Sequence, residues 1–362
     1  MTPDMVKKLV ALSVQVALES GAGQAAGLND AEYEAVGATV SRDRAALLAS
    51  ADVWASVNGP TPADVAQLKP NAVVIGFLRP LDEPAALLPL VAGGQTAFAM
   101  ELIPRTTRAQ AMDALSSMAT VAGYKAVLLA AAQMPRMFPM LTTAAGTVPP
   151  AKVLILGAGV AGLQAIATAR RLGAVVEGFD VRAAAGEAVR SLGAKFLEIP
   201  GEDAEGEGGY AKEVTEEMMQ RSRALIAERA VHTDCIITTA QVPGRRAPLL
   251  ITAEAVANMR RGSVIVDLSG STGGNCALSQ PGTDTVSANG VTVMCPLNLA
   301  ATVPAHASQL YARNLTNFLT LIIKDGALNL NFADDIVGPS CAIHAGEVKH
   351  PRLQGLLAKA AT

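Results

Sequence analysis

The chain has 362 residues, enough for two domains that each bury a sizeable core. Half of the residues are hydrophobic but only 3% are aromatic, so we expect cores built from Ala, Val, Leu and Ile. Such cores favour α/β packing. The net charge of −3 provides no basic footprint for nucleic acid.

Membrane and metal functions also find little support in the sequence. No uninterrupted apolar run reaches the roughly 18 residues that cross a bilayer, and the N-terminus, MTPDMVKKL, lacks a signal-peptide pattern. We therefore expect a cytoplasmic protein without direct membrane insertion. Cys235, Cys276, Cys295 and Cys341 lack C-x-x-C spacing and form no ligand cluster with the four histidines. They are predicted to be buried free thiols, and no metal site is predicted.

The first hundred residues alternate between predicted helices and strands. The helices are expected at 2–12, 30–36, 43–49 and 85–91, and the strands at 14–18, 52–57, 72–77 and 96–100. This alternation predicts a doubly wound parallel sheet. A parallel sheet that begins with a helix indicates that its first strand is missing or replaced.

An Ala-rich helical stretch follows Pro104 and continues to Gln133. Thr107 and Gln110 fit a capping box. Gln110, Asp113 and Ser116 are three residues apart, so they would share one broad helix face, with Arg105 before it. This face is either simply solvated or lines a cleft between domains.

The residues 152–182 read as a strand, a tight turn, a helix and a second strand. Gly157, Gly159 and Gly162 have the spacing G-x-G-x-x-G. Gly157 permits the turn, Gly159 lets the main chain approach a pyrophosphate, and Gly162 lets the helix and strand pack closely. The N–H groups at the helix start would face the phosphates. This order of elements predicts dinucleotide binding.

Asp180 closes the second strand of this motif. A carboxylate there can accept hydrogen bonds from both hydroxyls of the adenosine ribose and repel a 2′-phosphate, which favours NAD(H) over NADP(H). Arg182 is an opposing signal, because a nearby arginine can accommodate that phosphate.

The same domain continues with further predicted elements. Strands are expected at 195–199, 235–239, 263–268 and 291–294, with a helix at 249–259 and a linker at 142–151. Residues 201–217, GEDAEGEGGYAKEVTEE, predict a mobile exposed loop because they offer little apolar surface to bury. Tyr210 either anchors this loop as a lid over a ligand or belongs to an ordinary acidic surface loop. A long helix at 306–324 would return the chain to the first domain.

These patterns define an α/β fold of two Rossmann-like, doubly wound parallel-sheet domains. We expect residues 1–119 and 307–362 to form a discontinuous domain whose first strand is missing, and residues 120–306 to form the NAD-binding domain. Two long helices would join them around a cleft, and cleft closure is the expected motion.

Several stretches carry a family resemblance, among them AMELIPRTTRAQAMDALSS, GGYAKEV and GSVIVDLSGSTGGNC. With the glycine motif, they resemble the NAD(H)-binding component, domain I, of proton-translocating NAD(P) transhydrogenase, in the alanine dehydrogenase/transhydrogenase family. The resemblance spans most of the chain from about Phe98 to Phe318. It implies a Re/Si-specific enzyme in which NADH gives hydride directly to NADP+ on a partner domain, coupled to proton translocation by a membrane partner.

The resemblance also implies site residues and partners. It places Arg105, Gln110, Asp113 and Ser116 around the nicotinamide and its phosphates, and Tyr210 on the lid. These residues would act by positioning, because hydride transfer between nicotinamides needs no general acid or base. The implied NAD(H)-binding residues are Gly157, Gly159, Val160, Ala161, Gly162, Asp180, Val181, Arg182, Ala240 and Gln241. The family implies a homodimer with NADP(H)-binding and membrane-spanning partners, peripheral to the inner membrane.

Two alternatives remain for the function. Alanine dehydrogenases have an acidic residue where this chain has Ser271, and a catalytic His is expected near Phe77, where this chain reads GFLRP. Both positions count against that activity. From the transhydrogenase pattern the chain departs at Ser271, at Ala300–Thr302 and at the N-terminus, which lacks the initial strand and its Arg-rich loop. The other alternative is a catalytically weak NAD-binding or assembly subunit.

Overall fold

The computed structural model describes residues 1–199, 214–242 and 244–360. The chain divides into two compact units, one formed by Met1–Met118 with Pro304–Thr362 and the other by Ala119–Val303. It leaves the first unit within a helix, Ala114–Gln133, and returns at Pro304, where another helix begins.

The N-terminal part of the first unit alternates helices and strands as the sequence predicts. Its elements are α1 (Pro3–Val10), β1 (Ala17–Glu19), α2 (Asp30–Glu34), β2 (Thr39–Ser41), α3 (Arg44–Ser50), β3 (Val53–Asn58), α4 (Pro62–Val65), β4 (Val73–Phe77), α5 (Leu88–Ala92), β5 (Thr96–Ala99) and α6 (Ala114–Gln133). Strands β3, β4 and β5 are parallel neighbours, whereas β1 and β2 form a separate two-stranded parallel sheet. The predicted strand at 14–18 therefore begins later and pairs outside the main sheet.

The second unit is built around a seven-stranded sheet. Its elements are β6 (Leu141–Thr143), β7 (Gly146–Val148), β8 (Lys152–Leu156), α7 (Val160–Arg171), β9 (Val175–Phe179), α8 (Ala185–Ser191), β10 (Lys195–Leu197), α9 (Glu216–Ala230), β11 (Cys235–Thr238), α10 (Ala253–Ala257), β12 (Val264–Asp267), β13 (Asp284–Val286) and β14 (Thr292–Met294). The strand order is β10-β9-β8-β11-β12-β14-β13, with only the edge strand β13 antiparallel. The first six strands have the Rossmann order, which reverses between β8 and β11.

The C-terminal segment completes the first unit. It contains α11 (Pro304–Ile322), β15 (Ile323–Lys324), β16 (Ala327–Leu328), α12 (Val337–Ser340), β17 (Cys341–His344), β18 (Glu347–Val348) and α13 (Pro351–Ala360). Strand β17 pairs antiparallel with β5, and β18 pairs antiparallel with β17. The main sheet of this unit is thus mixed, with the order β18-β17-β5-β4-β3.

Helices cover both faces of the larger sheet because its strands are apolar on both sides. Along β8, Val153 and Ile155 pack in one core cluster with Ala165 of α7, whereas Leu154 and Leu156 pack in another with residues of α9 and α10. This alternation follows the period of two along a strand. The fold class predicted from sequence is confirmed: parallel-sheet α/β units of Rossmann type.

Local elements differ from the predictions at two places in the second unit. The helix expected at 249–259 is limited to Ala253–Ala257, whose N-cap Thr252 accepts a hydrogen bond from the Ala255 N–H. The predicted linker at 142–151 contains the β6–β7 hairpin. Gly146 has a φ of +124° at the start of β7, so glycine accommodates the backbone conformation that closes this turn.

The four cysteines are all buried, as the sequence predicts. Burial raises the pKa of Cys276, Cys295 and Cys341 to about 11, so these thiols stay protonated at neutral pH. Within the described residues, α6 is the single helix long and apolar enough to cross a membrane. Core helices pass the same test, and Ala126, Val127 and Ala130 of α6 are fully buried in the second unit.

Candidate functional site

The strand register brings the predicted NAD(H)-binding residues to one edge of the larger sheet. Leu156 is paired with both Phe179 and Thr238, and Thr238 is paired with Asp267. Strands β8, β9, β11 and β12 therefore end level with one another. The residues that follow them are Gly157, Asp180, Thr239 and Leu268, which start the loops at the carboxyl edge. In open α/β sheets, ligands bind at this edge, where the strand order reverses.

The three glycines of the motif have distinct structural reasons. Gly157 has a φ of +96°, and a Cβ there would lie 2.6 Å from the Thr239 Oγ1. A Cβ on Gly162 would lie 1.8 Å from the Gly157 carbonyl oxygen, so only glycine allows α7 to pack this closely on the turn. In contrast, nothing lies within 4 Å of the Cβ position of Gly159. The space in front of Gly159 is open, as a main-chain approach to a pyrophosphate requires.

Helix α7 begins directly after Gly159, and its first residues are Val160 and Ala161. Gly159 caps the helix with extended backbone and makes no side-chain capping bond. The N–H groups of the first turn are therefore left for an external acceptor, which is the arrangement that binds phosphates at helix N-termini. Gly123 of α6 packs against this turn, since a Cβ on it would lie 2.1 Å from the Ala161 carbonyl oxygen.

Asp180 lies directly after β9, as expected, and its carboxylate is 7% exposed. Its Oδ2 accepts hydrogen bonds from the Ala158 N–H at 2.8 Å and from the Arg182 Nη2 at 2.8 Å. Its Oδ1 accepts from the Arg182 N–H at 2.9 Å and from the Arg182 Nε at 2.8 Å. Asp180 thus joins the glycine turn to the loop after β9, and Val181 lies between the two paired residues.

Ala240 and Gln241 follow β11 and are held from below by a buried asparagine. The Asn275 Oδ1 accepts from the Ala240 N–H at 3.1 Å, and the Asn275 Nδ2 donates to the Ala240 carbonyl oxygen at 2.9 Å. Gln241 is exposed and donates to the Leu268 carbonyl oxygen at 3.0 Å. The backbone of this loop is therefore fixed, and the Gln241 side chain reaches solvent.

Asp267 is the organising group beneath these loops, and it was not predicted from the sequence. Its carboxylate is fully buried and accepts five hydrogen bonds. The donors are Thr238 Oγ1, Ser269 N–H, Asn275 N–H, Cys276 N–H and Ser279 Oγ, at 2.6–3.1 Å. The signal available in the sequence was an acidic residue ending a fully apolar strand, followed by a Ser/Gly/Asn loop. Such a carboxylate can bind the backbone of its own loop.

The residues 105–116, in the first unit, have a different local structure from the predicted one. Thr107–Met112 is a 3-10 helix with Thr106 at its N-cap, and no side chain caps it, so the predicted Thr107–Gln110 capping box is wrong. The cap lies further on: Asp113 Oδ1 accepts from the Ser116 N–H at 2.8 Å, and Asp113 Oδ2 from the Ser116 hydroxyl at 2.5 Å.

Consequently, Gln110, Asp113 and Ser116 do not share one helix face. Gln110 is exposed in the 3-10 helix, Asp113 immediately precedes α6, and Ser116 lies in its first turn. Arg105 is exposed two residues before the 3-10 helix. The predicted residues still belong to one short segment of the first unit.

Two asparagines of α11 fix this segment and were not predicted. The amide nitrogens of Asn314 and Asn317 both donate to the Ala111 carbonyl oxygen, at 2.9 and 3.0 Å. Asn314 is buried, and its Oδ1 has no hydrogen-bond partner among the described residues. The signal in the sequence was a pair of asparagines three residues apart on an otherwise apolar helix.

The remaining predicted positions are distributed as follows. Tyr210 and most of the loop 201–217 lie outside the described residues. Ser271 is exposed in a 3-10 helix, Gly270–Thr272, above the Asp267 network. Ala300–Thr302 forms another 3-10 helix, and the Thr302 hydroxyl donates to the Leu299 carbonyl oxygen at 2.7 Å.

The strand order, the open glycine turn and the acidic residue after the second strand together define a protein with a Rossmann-type unit of the dinucleotide-binding kind. The chain belongs to the alanine dehydrogenase/PNT family. The model of the N-terminal domain of that family matches residues 1–122, and the model of the C-terminal domain matches residues 126–351.

Individual relatives agree with this assignment. The chain is 47% identical to an NAD(P) transhydrogenase alpha subunit of Rhodospirillum rubrum, over 98% of this chain and 94% of the relative. A crystal structure of transhydrogenase from Sinorhizobium meliloti superposes with a TM-score of 0.87 at 45% identity, covering 96% of this chain and 94% of that one. An L-alanine dehydrogenase structure superposes with a TM-score of 0.83 at 26% identity, covering 99% and 95%.

Proposed function

We propose that this chain is the NAD(H)-binding subunit of a proton-translocating NAD(P) transhydrogenase. In this function, NADH bound to the chain gives hydride directly to NADP+ bound on a partner domain, Re/Si-specifically, and a membrane partner couples the reaction to proton translocation. The observation that carries the proposal is the 47% identity to a transhydrogenase alpha subunit over nearly the full length of both chains.

The geometry at the sheet edge fits the adenosine half of NAD(H). The open space at Gly159 and the N–H groups at the start of α7 suit the pyrophosphate. Asp180 suits the ribose hydroxyls, and the loop with Ala240 and Gln241 borders the same edge. A carboxylate at the end of β9 disfavours a 2′-phosphate, which supports NAD(H) at this site and NADP(H) on the partner.

The nicotinamide half is assigned to the segment 105–116. Arg105 supplies a cation for a phosphate, and Gln110 offers an amide for the carboxamide of the ring. Asp113 and Ser116 are rigid because they hydrogen-bond to each other at the start of α6. The asparagine pair on α11 fixes the backbone between them. We assign Tyr210 to a lid that excludes water.

The chain's residues act by positioning in this function. When bound, the cofactor supplies the hydride, so no proton has to be moved by a side chain. The requirement is that the reacting carbons come within about 3–3.5 Å of each other, which rigid binding on both halves of the cofactor provides. A backbone already fixed by Asp267, Asn275 and Asn314 costs little further ordering on binding.

Two competing functions make different predictions. An alanine dehydrogenase needs a proton-accepting side chain, and Ser271 stands where that branch has an acidic residue. A weak NAD-binding or assembly subunit would follow if Ser271 and Ala300–Thr302 impair transfer while nucleotide binding persists. Both functions keep the same fold, as the alanine dehydrogenase structure illustrates.

The assay that separates the three functions uses the purified chain mixed with an NADP-binding transhydrogenase component. Transfer of hydride from NADH to an NADP+ analogue, followed optically, is the expected result. NADH binding in calorimetry without any transfer would favour the binding subunit. Alanine-dependent reduction of NAD+ by the chain alone would favour the dehydrogenase, and no NADH binding would refute all three.

We further propose that the subunit is a homodimer, with NADP-binding and membrane-spanning partners that keep it at the cytoplasmic face of the inner membrane. The β6–β7 hairpin supports self-association because it exposes apolar side chains: Met140 is 63% exposed, Val148 45% and Leu141 40%. Light scattering should show a dimer that Met140→Glu weakens. Val286→Glu, at a 70% exposed position of another strand, is the matched control and should remain dimeric. A monomeric wild-type chain would refute the homodimer.

A further inference from the structure

The carboxylate of Asp180 has no acceptor capacity left in this conformation. A carboxylate offers about four lone-pair positions, and four donors of the chain occupy them at 2.8–2.9 Å. Two donors are backbone N–H groups, of Ala158 and Arg182. The other two are the Nε and Nη2 of the Arg182 guanidinium, which pairs with the carboxylate in a bidentate fork.

These two kinds of donor differ in what can move. The backbone N–H groups belong to the glycine turn and to the loop after β9, so they stay with the fold. The guanidinium is carried by a flexible side chain that is 17% exposed. Two ribose hydroxyls need two acceptor positions on Asp180, and the guanidinium holds two. Binding of the ribose therefore requires an exchange of two guanidinium N–H donors for two hydroxyls.

We propose that Arg182 is a specificity-determining residue that competes with the adenosine ribose for Asp180 and narrows the preference for NADH over NADPH. This proposal rests on the proposed NAD(H) site. The competition weakens NADH binding, because a charge-assisted bidentate pair must open first. The same pair neutralises the carboxylate, so a 2′-phosphate meets less repulsion than an unpaired Asp180 would present.

The released guanidinium adds to this effect for NADPH. It lies beside the ribose position and can form a bidentate pair with the phosphate. Arg182 thus acts against NADH and in favour of NADPH at one position. A residue with a purely structural role would instead change the affinity for both nucleotides in the same direction.

The test compares the Kd values of NADH and NADPH by calorimetry for the whole chain. Arg182→Met should tighten NADH binding about threefold to tenfold and weaken NADPH binding by a similar factor, because a partly buried ion pair is removed from the competition. Arg182→Lys, which keeps the charge but loses the fork, should shift both values in the same directions by less.

Two controls isolate the pair. Arg190→Met removes an arginine of the same unit that pairs with Glu198 at an exposed position, so it matches the change in net charge and should leave the ratio of the two Kd values unchanged. In an Asp180→Asn background, Arg182→Met should no longer tighten NADH binding, since the ionic competition is already absent. Melting temperatures verify that each variant is folded.

The outcomes distinguish this inference from the function on which it rests. If the wild-type chain binds neither nucleotide, the proposed function fails and the inference fails with it. If the wild-type chain binds NADH but Arg182→Met and Arg182→Lys weaken both nucleotides equally, or leave the ratio of Kd values unchanged, the competition is refuted and NADH binding stands.

Discussion

Replacement of Asp267 by asparagine tests whether the buried carboxylate organises the loops of the candidate site. Its Oδ1 accepts from the Thr238 hydroxyl and the Ser269 N–H, and its Oδ2 from the Asn275 N–H, the Cys276 N–H and the Ser279 hydroxyl. The new amide group fits best on the Oδ1 side, where the hydroxyl can rotate to accept. The Ser269 N–H then loses its partner inside a buried site.

The cost follows from these partners. One buried N–H without an acceptor costs about 1–3 kcal/mol, and the three bonds to Oδ2 lose their charge assistance. The neutral amide is easier to bury than the carboxylate, which offsets part of this loss. We expect Asp267→Asn to destabilise the unit by about 2–4 kcal/mol and to lower its melting temperature by about 5–12 °C. NADH affinity should fall as well, since Asn275 holds Ala240.

Asp234→Asn is the matched control for this experiment. Asp234 is also buried, but it lies before β11, at the opposite end of the strand, and its Oδ2 accepts from the Lys152 N–H. Its Oδ1 has no hydrogen-bond partner among the described residues, and the nearest arginines are 3.7–3.9 Å away and exposed. The expected cost is below about 1 kcal/mol, with no change in NADH affinity. Differential scanning calorimetry and NADH titration measure both; equal losses in the two variants would refute the organising role of Asp267.

Three further variants test other parts of the structure. Gly162→Ala should lower the melting temperature and NADH affinity, because its Cβ meets the turn, whereas Gly355→Ala, with open space in α13, should not. Asn314→Asp removes a donor to the 105–116 segment and should slow hydride transfer several-fold without changing ADP-ribose affinity. Arg108 lowers the pKa of Asp334 to about 2, and this stabilisation is complete above about pH 4 and lost as pH falls through 2. Arg108→Met should therefore reduce stability in urea unfolding at pH 7 but not at pH 2. An effect of Gly355→Ala equal to that of Gly162→Ala, tighter or weaker ADP-ribose binding by Asn314→Asp, or a pH-independent loss in Arg108→Met would contradict the respective explanation.

The larger sheet was predictable because its signals are local. Strands β8, β11 and β12 are buried on both faces, so they appear as short apolar runs between polar or glycine-rich turns. The G-x-G-x-x-G turn and Asp180 followed from spacing alone. Parallel pairing then places their loops at one edge, which is why the candidate NAD(H) residues could be named without a structure.

The 105–116 segment was mispredicted because two capping arrangements compete within a few residues. Thr107 with Gln110 and Asp113 with Ser116 have the same spacing, and sequence alone does not rank them. The structure selects the second, and Asn314 contributes by holding the Ala111 carbonyl oxygen from 203 residues away. A contact over that separation leaves no trace in a local pattern.

The buried network under the sheet edge escaped prediction for a related reason. Four of the five donors to Asp267 come from Ser269 to Ser279, a loop whose path only the fold determines, and the fifth comes from Thr238 on the neighbouring strand. The family pattern directs attention to Ser271 in the same loop. Ser271, however, is exposed above the network and contributes to none of these bonds.

Asp267 and Asp180 illustrate how the same residue type serves structure and binding at one edge. Every acceptor position filled on Asp267 is filled by backbone or by short, buried side chains, so nothing can exchange there. Asp180 has an equally full set, but half of it belongs to one flexible, partly exposed arginine. A carboxylate becomes available to a ligand when its partners can leave at moderate cost. The mobility of the donors, rather than the number of hydrogen bonds, therefore separates the ligand-binding carboxylate from the structural one.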